Sequence, residues 1–302
     1  MSERQMRRAR ERQVEREAKC HGRLAKRGAL GAGAALGATV VFAPAAQAAN
    51  FPVTKLADTN DGTCDADCSL REAVYAANAS TASDPDLVTF QSGLSGRIEL
   101  AASFGDIRIE DGVTIQGPGA DVIEVDGNRY DRIFYLDTAS PDATTISGLT
   151  LLSGAGGYNN NGGALYAASG SGPLAIADSA IRFSYVYGFA SDGGAISANN
   201  DSLTVTGSEF LGNDAGRSGG ALFASTDVTI TGSTLTGNDT FYGDGGAIYL
   251  DEGSLSVISS RISENQAEES GGGVYVDDTS PADATGVLLR DSVIDRNVAG
   301  DD

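Results

Sequence analysis

Five short segments of the sequence superimpose on one another: GGALYA at Gly162, GGAISA at Gly193, GGALFA at Gly219, GGAIYL at Gly245 and GGGVYV at Gly271, at spacings of 31, 26, 26 and 26 residues. A second element recurs between them: ADSAIRFS (177–184), TGSEFLGN (206–213), TGSTLTGN (231–238), SSRISENQ (259–266) and RDSVIDRN (290–297), with a weaker precursor, SGLTLLSG, at 147–154. Self-similarity at this period means a solenoid, because one unit cannot bury its apolar face alone and does so only against its neighbours.

The residues say which solenoid. LTVTGSEF and VTITGSTL alternate as strands do, the breaks are Gly, Asn, Asp and Ser, and no helical period runs through the repeats. A 26-residue unit holds about three short strands and their turns, one coil of a parallel β-helix with coils stacked about 4.8 Å apart. Leu165, Ile196, Leu222, Ile248 and Val274 form one inward column; Ile181, Phe210, Leu235, Ile262 and Ile294 form another. The paired glycines permit a corner that a Cβ would obstruct. Asn213, Asn238, Asn265 and Asn297 hold one position in successive coils, where their amides can bond along the axis as a ladder. Residues 87–136 carry the same strand grammar without the double glycine, for roughly eight or nine coils in all.

The first 48 residues stand apart. A basic stretch, the apolar run ALGAGAALGATVVFA and the small-residue site APAAQA have the order of a secretory signal peptide, cleaved after Ala48. The apolar run is too short to prefer spanning a bilayer, and Lys26-Arg27 before it leaves a twin-arginine route open beside the general one. This leader holds 10 of the 21 Lys and Arg but only 4 of the 41 Asp and Glu, so the mature chain has 11 bases against 37 acids, a net charge of −26. Such a surface repels nucleic acid and anionic lipid. The leader also holds the single histidine, His21, so Ser-His and Cys-His catalysis and histidine-zinc hydrolysis are excluded from the mature chain. Cys64 and Cys68 are the two cysteines left in an exported chain, and a disulfide across CDADC is expected.

One helix is expected, at the entrance. Ser69 and Glu72 have the spacing of a capping box, Leu70, Ala73, Val74 and Ala77 share one face, and Asn78 is a left-handed terminator. So short a helix cannot stand alone in water, and a β-helix has an open end to cover. Residues 49–86 are therefore expected to form an N-terminal cap, and residues 87–302 the β-helix, with GGA repeats from Gly162.

CSLREAVYAAN resembles the signature of CSLREA-domain proteins, and DLVTF, GRIEL and VTIQGPGADVIEVDG resemble the early coils that accompany it. The alternation of GGA(I/L) with F-x-x-N, matched by FLGN at 210–213, resembles the repeats of polymorphic outer-membrane proteins. The resemblance covers residues 51–300 and implies an all-β, right-handed single-stranded parallel β-helix of the pectin-lyase type, exported and often attached to the surface. It implies no single chemistry. Surface members of that group carry a barrel, anchor or sorting segment after the solenoid. Here a repeat element stands directly before Asp302, so a longer parent chain or a partner over that edge is expected.

Three places could carry function. Asp251, Glu252, Asp277 and Asp278 fall in register after the GGA strand, as solvated turn acids or as ligands to Ca²⁺, the one cofactor the sequence leaves open. Tyr158, Tyr185, Tyr187, Phe189, Phe241 and Tyr242 lie in the segments between the Asn position and the next glycine pair, suited to stacking on sugar rings or meeting a protein. Tyr166, Phe223, Tyr249 and Tyr275, interrupted by Ser197, make an outward column on the GGA strand. Arg182 and Arg217 are the nearest to a lyase base. The expected protein is a secreted or cell-surface module without catalysis, binding an extracellular glycan or surface protein and lacking a transmembrane helix. A polysaccharide lyase or glycoside hydrolase of this fold, and a structural stalk, are the alternatives.

Overall fold

The computed structural model describes residues 48–82, 85–158, 160–277 and 286–300. Most of the expected leader, residues 1–47, lies outside them, as does Asp278; Ala48 is the first described residue and is exposed. From Thr144–Ser147 on, each complete coil contains four strands, where three were expected; the two coils before it, starting at Asp86–Phe90 and Val113–Gln116, contain three. In one coil the chain passes through Leu174–Ala177, Ala180–Arg182, Tyr185–Tyr187 and Ile196–Ala198. It then lays Ser202–Thr206 alongside Leu174–Ala177, in parallel. The extra strand is the segment after each ladder asparagine, too short and too polar to show a period of two. Among the described residues, like strands stack into four parallel sheets of nine, eight, six and seven strands.

Some seven full turns separate Asp86–Phe90 from Val287–Arg290, fewer than the eight or nine expected. The difference lies at the start. Asn50–Val53 adds one strand beside Asp86–Phe90, and the chain between them leaves the solenoid to build the cap.

Both expected columns point inward. Leu165, Ile196, Leu222, Ile248 and Val274 pair in register, as do Ile181, Phe210, Leu235, Ile262 and Ile294. All are buried except Val274, which is partly so, and Ile294, which is exposed. Each full burial of such a side chain stabilises by about 1.5–3 kcal/mol, shared between the coils above and below.

The ladder runs as expected. Asn213 donates through Nδ2 to Oδ1 of Asn238 (2.9 Å), Asn238 to Asn265 (2.8 Å) and Asn265 to Asn297 (2.8 Å). Each Oδ1 also accepts the backbone N–H of the asparagine before it. Directly ahead of each asparagine stands a residue in the left-handed region: Gly212, Gly237, Glu264 and Arg296, at φ 61°, 64°, 59° and 55°. That single left-handed residue turns the chain from the eight-stranded to the six-stranded sheet, and the buried amide fixes the turn to the next coil. A second ladder occupies the neighbouring corner, where the nine-stranded sheet meets the eight-stranded one. Ser208 Oγ accepts the Ser179 N–H (3.2 Å), Ser233 that of Ser208, and Ser260 that of Ser233 (both 3.1 Å). These serines recur five residues before each ladder position, a signal present in the repeat but hidden by the commonness of serine in turns.

The glycine pair divides its labour. Gly219 adopts φ 69°, whereas a Cβ on Gly220 would come within 2.2 Å of the Gly246 carbonyl oxygen in the next coil. The first glycine turns the chain and the second lets two coils touch.

Helix α1, Leu70–Asn78, packs on the strands Asn50–Val53, Asp86–Phe90 and Ile107–Ile109. Its Leu70, Ala73, Val74 and Ala77 are buried, the Ser69–Glu72 capping box is formed, and Cys64 is bonded to Cys68. Asn78 is not a left-handed terminator. The helix ends through Ala79 in the right-handed region, because the Asn78 amide is engaged elsewhere: it donates to the Arg108 carbonyl (2.9 Å) and accepts the Glu110 N–H (3.0 Å).

The CSLREA stretch also carries a pin that its sequence did not reveal. Arg71 is fully buried and donates to Asp58 through Nε and Nη2 (2.8 and 3.0 Å). It also donates to the carbonyls of Gly105 and Asp106 (2.8 and 2.9 Å), which belong to the first coil. A buried pair so fully bonded ties the cap to the solenoid in one orientation. Burial pushes Glu72 up, but N–H bonds from Ser69 and Asp61 and the Thr59 hydroxyl outweigh it and hold the carboxyl at about 2.

Candidate functional site

The six-stranded sheet is made of Ala155–Tyr158, Tyr185–Tyr187, Asp214–Ala215, Asp239–Thr240, Gln266–Ala267 and Val298–Ala299, in that order. Strand alternation settles what faces outward: Val186, Ala215, Thr240 and Ala267 are buried, so the residues on either side of each point to solvent. Tyr158 pairs with Tyr187 across adjacent coils. The next coil offers Gly216 at this level and the one after it Phe241. A Cβ on Gly216 would come within 2.1 Å of the Gly188 carbonyl oxygen, so no side chain fits there.

The result is a cleft of about 370 Å³ lined by Tyr158, Tyr187, Gly188, Phe189, Gly216, Phe241 and Tyr242. Its rings come from three repeats, and the coil that lacks a ring supplies the gap. Phe189 and Tyr242, two coils apart, meet across it with centroids 4.5 Å apart. These aromatics are exposed, Tyr158 at 71% and Phe189 at 68%. Five of the six loop aromatics singled out from the sequence thus converge. Tyr185 does not line the cleft: its ring meets that of Tyr187 at a tilt (4.5 Å), its hydroxyl donates to the Arg129 carbonyl (3.1 Å) and it lies under the Arg129 guanidinium (5.6 Å).

Beside the cleft stands a group that sequence reasoning missed. Tyr185, Asp214 and Asp239 are in register on consecutive strands, two residues before Tyr187, Gly216 and Phe241. Burial, then the Asp239 carboxylate, pushes Asp214 up to about 6 against a smaller pull from Arg129. Burial also raises Asp239, opposed by the Thr240 N–H and assisted by Glu268. The signal was the doublet Asn-Asp at 213–214 and 238–239, in which the residue after each ladder asparagine faces out.

The seven-stranded sheet carries the second aromatic column, longer than expected. Tyr135 meets Tyr166 at a 45° tilt (5.4 Å), Phe223 stacks on Tyr249 (5.5 Å) and Tyr249 on Tyr275 (5.1 Å), with the Arg108 guanidinium 4.5 Å over Tyr135. The column expected to face outward is only partly exposed. Ser197 is fully buried and Phe223 only 7% exposed. Arg217, in the segment before the glycine pair, lies near Tyr249 and the Asp251 carboxylate.

The turn acids are placed in register but separately employed. Leu250 pairs with Val276, so Asp251 and Asp277 follow on adjacent strands. Asp251 accepts from the Ser225 hydroxyl (3.0 Å) and Asp277 from the Tyr249 hydroxyl (3.1 Å). Glu252 is exposed after a bulge opposite Ser225, and Asp278 lies outside the described residues. Among the described residues no three His, Cys, Asp or Glu gather as a metal site. Arg182 is paired to Glu209 (2.6 Å) and Arg217 to Asp192 (2.8 Å). Its carboxylate bond raises the Arg217 pKa, which makes this side chain a poor proton acceptor.

No helix among the described residues is long and apolar enough to cross a membrane. Comparison with curated proteins returns no match. The family model for the right handed beta helix region matches residues 132–301, more than half of the 302-residue chain. With its coils parallel and its repeats in register, the chain belongs to the right-handed β-helix family.

Proposed function

We propose that the protein is an exported β-helix module without catalysis that binds a glycan, outside the cell or at its surface, through the aromatic cleft. The observation that carries this reading is the gathering of five exposed rings from three repeats around Gly216. Aromatic faces in a polar setting gain by stacking on the apolar faces of sugar rings, and the rigid coils hold them with little ordering left to do. The signal-peptide order of residues 1–48 supports export. The resemblance to CSLREA-domain and polymorphic outer-membrane proteins supports a place at the surface.

A glycan array with the wild-type chain, followed by titration of the best ligand, tests the reading. The triple variant Tyr187→Ala, Phe189→Ala, Tyr242→Ala is expected to lose affinity by at least about tenfold while unfolding at nearly the wild-type temperature. Unchanged affinity removes the cleft from the account. The hydrolase alternative is favoured by one observation, the stacked Asp214 and Asp239 beside the cleft, since two carboxyls about 5 Å apart are what a retaining glycosidase uses. Reducing-end or unsaturated-uronate release from any polysaccharide would overturn the non-catalytic reading.

A further inference from the structure

We infer that the cleft takes an amino sugar, a glycan unit bearing a protonated amine, in preference to its N-acetylated or uronic counterpart; the inference rests on the glycan reading above. No charged side chain lines the cleft itself. Its charge comes from one strand position away. Asp214 and Asp239 precede Gly216 and Phe241 by two residues, a distance of about 6.6 Å along a strand. A hexose seated on the Gly216 floor places its ring substituents within reach of them.

Those carboxylates are under-compensated. Asp214 faces Asp239 in the next coil, and Asp239 also feels Glu268. The cation that reaches Asp214 is Arg129, and it already lies over the Tyr185 ring. Three acids thus face one arginine. Like charges stacked on adjacent strands repel, so a cation arriving between them relieves a cost that the folded chain already bears. The lining rings add an independent preference of the same sign, because the face of an aromatic ring attracts a cation and repels a carboxylate. A uronate meets both effects as repulsion. An N-acetylated sugar keeps the stacking and loses the charge attraction.

Calorimetric titration of the full chain at pH 7 with oligomers of glucosamine, N-acetylglucosamine and galacturonate tests the inference. The glucosamine oligomer is expected to bind about tenfold tighter than its N-acetylated twin, with galacturonate showing no binding. The double variant Asp214→Asn, Asp239→Asn is expected to erase that difference. A measurement on the wild-type chain needs no variant to fold: raising the salt from about 0.05 M to about 1 M shortens the screening length to about 3 Å and weakens a charge attraction while leaving ring stacking, so the preference shrinks. Equal affinity for the first two oligomers, tightest binding of galacturonate, or a preference that survives both the double variant and high salt overturns the inference while the glycan reading stands. Binding of none of the three overturns the inference, and the glycan reading falls with it only where the array also returns no ligand.

Discussion

The corner that carries the asparagine ladder and the face of the six-stranded sheet are built by neighbouring residues of the same repeats, yet they obey opposite rules. At the corner every coil does the same thing: Asn213, Asn238 and Asn265 are buried and make the same bonds to the coil ahead. One residue further on the coils diverge, to Asp214, Asp239 and Gln266, and two residues beyond that to Gly216, Phe241 and Glu268. In a solenoid a repeated residue serves the contact between coils, which is the same everywhere. A residue that departs from the repeat has no such duty, and the cleft is made of departures.

The comparison can be broken at several points, the largest effect first. Gly220→Ala places a Cβ 2.2 Å from the Gly246 carbonyl oxygen, with backbone rather than a flexible side chain in the way, and is expected to destabilise by about 3 kcal/mol or more in denaturant unfolding. A loss below about 1 kcal/mol would mean that the coils can slide apart, and the corner would not be over-determined. Asn238→Ala strips acceptors from the Asn213 backbone N–H and amide and a donor from Asn265; unfolding should show a loss of about 2–3 kcal/mol.

Asp214→Asn has the opposite sign. The folded pKa is raised from 3.8 to about 6, so the ionised group opposes folding at pH 7, and that penalty disappears as the pH falls through 6 to below 3.8. The variant should be more stable than wild type by about 1–2 kcal/mol at pH 7 and equal to it at pH 3.5, read from thermal unfolding at both values. A gain that persists at pH 3.5 would assign the effect to packing instead of charge. The aromatic triple variant closes the series, with a change in stability near zero and its effect in binding.

Much of this was legible in the chain. The repeat named the solenoid, its inward columns and its ladder, and the capping box with the helical period located α1. The cysteine spacing gave the disulfide. What went unread is specific. The two-residue strands after the asparagines are too short to show alternation, so the four strands of a repeat coil looked like three. Arg71 stands within the CSLREA motif, but a buried arginine is meaningful only beside Asp58 and the carbonyls of Gly105 and Asp106, thirteen and more than thirty residues away. The serine ladder used residues too ordinary in turns to be noticed.

The sequence alone determined what each coil does for its neighbours, because that relation repeats and a repeat is visible in one dimension. Only the tertiary structure decided which departures meet. Phe189 and Tyr242 are separated by a whole intervening repeat, and Gly216 matters through the ring it withholds. Register and strand alternation bring such residues to one place, and both are properties of the stacked coils, not of any one segment.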